Sequence, residues 1–180
     1  ERIKLLASVF AIDVAGRSIL SNHLHSVLRN RPDIANEWTN LEVARRWRKI
    51  FKKAGTFAER EEEIQNLSKN LAKINILRER LQNISWFMKS LNEYISRKAN
   101  KEDGCKGTFW EGRFKSIHLK DEASILACMV YVDLNPIRAG ITRTLENSDF
   151  TSIKERLIAK KARDKIKKIW PEIELIKDND

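Results

Sequence analysis

Apolar positions recur along this chain with two periods. Ile3, Leu6, Val9 and Phe10 share one face at helical spacing, so residues 1–12 read as the end of a helix. Residues 14–20 and 23–29 alternate as strands do, and Ser21-Asn22 between them is a turn signal, which predicts a hairpin. Leu77, Leu81, Ile84, Met88, Leu91 and Ile95 are spaced 4, 3, 4, 3 and 4 residues apart and predict one long amphipathic helix over 77–98. Arg113 to Leu119 reads as a further strand. Asp121 is placed to cap a helix over 122–135, which Pro136 disfavours extending, and Gly140 marks the turn that follows.

The stretch from 30 to 80 has a different texture. It holds Arg31-Pro32-Asp33, a polar helix around 40–53 and the acidic run Glu59 to Glu63, and reads as a helical insertion. Within it Arg45, Arg46, Arg48, Lys49, Lys52 and Lys53 interleave with Trp47 and Phe51, a pattern suited to phosphate contact or to a solvated helix face. From 150 onward the chain is a basic helix, with eight Lys and Arg against two acids between Lys154 and Lys168. Two domains are expected: residues 1–152 with the insertion, and a basic helical tail over 153–180. With one strand supplied ahead of Glu1, the order becomes β-α-β-β-α-β. That is an α+β chain, its helices packed on a mainly antiparallel sheet whose first strand is missing here.

Charge narrows the class of partner. The 180 residues carry a formal net charge of +10 and a sequence pI near 9.7, a balance that favours polyanions because Lys and Arg neutralise phosphates. No apolar run long enough to span a bilayer occurs. Cys105 and Cys128 form no CxxC pair, so reduced thiols in a cytoplasmic protein are the simple reading.

Three constellations could carry chemistry. His23 and His25 flank Leu24; on a strand they point the same way, ~7 Å apart by the rise per residue, close enough to share one metal ion. Tyr131 and Asn135 lie four apart on one helix face, so an amide oxygen sits one turn from a phenol. A phenol needs help to act as a nucleophile, from a metal or from a nearby base. The run Phe109-Trp110-Glu111-Gly112-Arg113-Phe114-Lys115 alternates aromatics with cations, as a surface for unpaired bases and phosphates would. His118 reads as structural unless its strand borders the metal.

In this order the motifs resemble a known family. Ser21-Asn22-His23-Leu24-His25, followed by Val27-Leu28-Arg29, looks like the HUH motif of transposases: histidine, bulky hydrophobe, histidine. Phe87-Met88-Lys89-Ser90-Leu91, Trp110 to Lys115, and Tyr131-Val132-Asp133-Leu134-Asn135-Pro136-Ile137-Arg138-Ala139-Gly140 resemble REP-associated tyrosine transposase-like proteins, within the single-tyrosine HUH superfamily. The resemblance covers most of residues 14–152. It implies a ferredoxin-like core, Tyr131 as nucleophile, His23 and His25 as ligands of Mg²⁺ or Mn²⁺, and Asn135 as a third ligand. It also implies Arg29, Trp110, Arg113, Lys115 and Arg138 as contacts to single-stranded or hairpin DNA. The implied protein is a monomer or homodimer of bacterial type, cytoplasmic and nucleoid-associated. It cleaves and rejoins DNA through a 5′-phosphotyrosine link, and the absence of a GxxxxGK[ST] loop agrees with strand transfer that needs no ATP. The alternatives are a non-catalytic nucleic-acid-binding protein on the same fold, a metal-dependent nuclease that uses water as its nucleophile, and a purely structural basic protein that binds no metal.

Overall fold

Alternating residues pair as the pattern predicts. In the computed structural model β1 (Ile12–Ile19) and β2 (Leu24–Asn30) form a two-stranded hairpin. The Leu20 N–H donates to the His23 carbonyl at 2.9 Å and closes its turn. The structure describes residues 1–169. Among them are eight helices and this one sheet, so the chain is α+β. None of the described helices is long and apolar enough to cross a membrane.

The chain divides into two compact units, and the division runs through the hairpin. The first unit comprises Glu1–Asp13 and Leu28–His118; the second comprises Val14–Val27 and the chain from Leu119 onward. The first holds α1 (Arg2–Ala7), α2 (Pro32–Glu37), α3 (Asn40–Ile50), α4 (Phe57–Ser68), α5 (Leu71–Leu81) and α6 (Ile84–Glu102). The second holds α7 (Glu122–Arg138) and α8 (Ser152–Ile169).

In the first unit the apolar stripes meet. Val43, Ala44 and Trp47 of α3 and Ile74, Leu77 and Leu81 of α5 are all buried, and α3 packs against α4 and α5. Each fully buried aliphatic side chain here contributes roughly 1.5–3 kcal/mol. Phe10 meets Phe87 edge-on at 5.5 Å, where α1 packs on α6. Arg78 donates to the carbonyls of Ala35 and Trp38 at 2.5 and 2.7 Å, satisfying groups left open where α2 ends.

Three expectations change. The single helix over 77–98 is two, α5 and α6. Asn83 interrupts it, its side chain accepting from the Ser85 and Trp86 N–H groups at 2.8 and 3.3 Å. The apolar period runs through the break because Leu77 and Leu81 before it, and Met88 and Leu91 after it, are all buried. Residues 113–119 form no strand: they pair in no ladder among the described residues, and Ile117 is 89% exposed. Pro136 does not end α7. It lies in the last turn, where its missing N–H forfeits a single helical bond, and the helix stops at Gly140, whose φ of +70° is left-handed.

Candidate active site

The second unit brings three of the expected residues together. His23 stands just ahead of β2 and is exposed; His25 lies within β2 and is half-buried. Their rings meet edge-on with centroids 4.8 Å apart. The Tyr131 ring, from the middle of α7, meets His25 edge-on at 5.5 Å. About a hundred residues separate that tyrosine from the histidines in the sequence. Tyr131 keeps 43% of its surface exposed. Arg138, two turns further along α7, places its guanidinium 5.4 Å from the centre of the Tyr131 ring. Asn135 falls between them on the same helix face and is buried, 7% exposed.

Local structure explains the alignment. Asp121 caps α7 by accepting from the Ser124 N–H at 2.7 Å. That hydrogen bond, with a second from the Ser124 hydroxyl, holds the Asp121 carboxyl below the usual carboxylate range. The cap is therefore intact above the ordinary carboxylate pKa and is lost as pH falls through the lowered folded value. Val132 is buried on the inner face of α7. Gly16 of β1 is buried too, and a β-carbon there would stand 3.5 Å from Val27 and 3.9 Å from Met129, so α7 lies across the hairpin. The start of α8 braces the same strand. Ser18 forms an antiparallel bridge with Thr151, and the Arg17 N–H donates to the Ser152 hydroxyl at 2.7 Å. Arg156 donates to the Ala15 carbonyl at 3.1 Å and pairs with Asp133 of α7 at 2.5 Å.

The electrostatics favour a neutral His25 imidazole that can donate a lone pair. Burial, and then the neighbouring His23, push the His25 imidazole below its ordinary value. His23 Nδ1 lies 2.7 Å from Asn22 Oδ1. An amide oxygen only accepts, so Nδ1 carries a hydrogen, and Nε2 is the nitrogen left for a ligand when the ring is neutral. Asn22 was legible in the sequence only as a turn residue; its place beside His23 was the one signal that it orients a ring.

No family model, curated protein or solved structure matches the chain.

Trp110, Arg113 and Lys115 belong to the first unit, in the loop after α6. The Trp110 indole donates to the Asn92 carbonyl at 3.1 Å and ties that loop to α6. Arg113 lines a groove with Trp86, Lys89 and Phe114, while Lys115 is exposed. Arg29 is exposed near the end of β2, and His118 is exposed in the loop. Among the described residues no three His, Cys, Asp or Glu side chains gather.

Proposed function

We propose that the chain is a metal-dependent HUH-type tyrosine transposase that cleaves and rejoins single-stranded or hairpin DNA. The observation that carries this reading is the contact of His23, His25 and Tyr131, ring against ring, from two distant parts of the sequence. The reading includes a ferredoxin-like core, with the histidine strand facing the tyrosine helix.

The donors suit a divalent ion of the Mg²⁺ or Mn²⁺ kind. His23 offers Nε2, His25 is held neutral, and the Asn135 amide oxygen is the third candidate ligand. Such an ion neutralises charge on the scissile phosphate when bound. The protein side chains do the rest. The Tyr131 hydroxyl attacks phosphorus, a tyrosyl P–O bond forms, and the bond from phosphorus to the 3′ oxygen breaks. The proton lost from the phenol is balanced by one gained on the departing 3′-hydroxyl. One phosphodiester replaces another, so the bond energy is retained and a 3′-hydroxyl can reverse the step to join strands. Arg138, against the Tyr131 ring, is placed to hold the phosphate as charge shifts.

The test is covalent capture. Incubation of the protein with Mn²⁺ and a 3′-end-labelled hairpin oligonucleotide is expected to give a labelled band that survives denaturation. Tyr131→Phe should lose that band and still bind the DNA. No adduct with Tyr131 intact would refute the reading; cleavage by Tyr131→Phe would point instead to water as the nucleophile.

A further inference from the structure

The basic run of the insertion is not used by the site above, and the structure gives it a shape. Arg45, Arg48 and Lys49 of α3, and Lys52 just beyond it, recur at spacings of 3, 1 and 3, and so share one face. That face lines a cleft of about 380 Å³ against α4. Two carboxylates of α4 take up the two arginines: Glu61 pairs with Arg45 at 2.8 Å, and Glu63 accepts from Arg48 Nε at 2.7 Å. These pairs fix the helices to each other but leave most of the positive charge unanswered. Lys52 and Arg60 make no ion pair among the described residues. Lys53 is 3.9 Å from Glu63, and Lys49 reaches only the Ser8 hydroxyl, at 3.5 Å.

Phe57, the first residue of α4, lines the same cleft and is 78% exposed. The fold does not use this ring: its helix start is already fixed by a reciprocal capping box between Thr56 and Glu59. An isolated exposed aromatic would need no explanation. One set among unpaired cations in a concave site is different. It offers a flat apolar face for a base beside charges for the flanking phosphates. The cleft is too small for a duplex, and an acidic peptide would use the ring only where it carried an apolar side chain, whereas every nucleotide of a single strand brings a base face beside its phosphate.

We propose that the cleft between α3 and α4 binds single-stranded DNA, with a base stacked on Phe57 and the adjoining phosphates held by Lys49, Lys52, Lys53 and Arg60. The choice of DNA over RNA rests on the transposase reading; the binding itself does not involve His23, His25 or Tyr131.

The test uses the full chain, fluorescent oligothymidylate and EDTA, so that strand cleavage plays no part. A triple variant, Lys52→Gln with Lys53→Gln and Arg60→Gln, should bind at least tenfold more weakly. Its slope of log affinity against log salt should be shallower by about 2, at ~0.7 for each phosphate no longer neutralised. Phe57→Ala should weaken binding about tenfold with the slope unchanged. Circular dichroism of both variants should match the parent. Parental affinity in the triple variant overturns the proposal, and parental affinity in Phe57→Ala reduces the cleft to a plain anion patch. Preference for an oligouridylate over the thymidylate overturns the assignment to DNA. Failure of covalent capture with these effects intact would sink the transposase reading alone.

Discussion

Asn22 is no ligand in the proposed metal centre, yet the part proposed for His23 depends on it. Its amide oxygen holds the hydrogen on Nδ1 and fixes the ring with Nε2 free. Partners of this kind typically change metal affinity 10–100-fold when removed. Asn22→Ala is therefore expected to weaken Mn²⁺ binding by about that factor, read by titration calorimetry, with the fold unchanged. Equal affinity would mean that the ring is oriented without the amide. Residues at this scale were unevenly legible. His23, His25 and Tyr131 are each ordinary alone and stand out only through the order of motifs that resembles a known family. Asn22 did not, because the same side chain that orients a ring also favours a turn. Arg138 was legible as a cation for DNA, but its place over the Tyr131 ring depends on the two turns of α7 between them.

At the scale of elements, hydrophobic period located the helices and misjudged where they stop. The stripe from Leu77 to Ile95 marks a common core, and a common core does not require a continuous helix. What divides α5 from α6 is a capping interaction, visible only as one asparagine in a polar pair. Asn83→Ala leaves the Ser85 and Trp86 N–H groups without that acceptor and should cost about 1 kcal/mol, measured as a lower urea midpoint. An unchanged midpoint would show that solvent caps α6 equally well. The run from Arg113 to Leu119 failed as a strand for the opposite reason. Ile117 and Leu119 do alternate with polar residues, but a strand exists only where a neighbour offers hydrogen bonds. The loop that holds them is instead tied to α6 through the Trp110 indole.

For the molecule as a whole, the α+β class and the hairpin followed from the sequence. The grip of α8 on β1 and α7 did not, because it rests on polar contacts that no periodicity announces. Arg156 shows this most clearly. It joins the Ala15 carbonyl of β1 to Asp133 of α7, and the Asp133 side chain is only 14% exposed, with Oδ1 buried and unpartnered. Arg156→Met leaves that carboxylate without its counter-charge. With the arginine itself 40% exposed, the expected loss is about 2 kcal/mol in urea unfolding. Adding Asp133→Asn should recover part of the loss, since the pair and not each residue carries the energy. Full additivity of the two changes would show that they act apart.

The same brace sets how far the chain can be shortened. The basic helix after Thr151 looks like an appendage in the sequence, yet its first turns carry Ser152, Glu155 and Arg156, which grip β1 and α7. Residues 164–168 are exposed and follow these grips. A chain trimmed in that stretch keeps the tyrosine helix seated against the histidine strand. One trimmed at Phe150 opens the edge of β1 at Ser18 and strips a buried carboxylate of its partner, so that loss of activity in such a fragment would report on its scaffold and not on its chemistry.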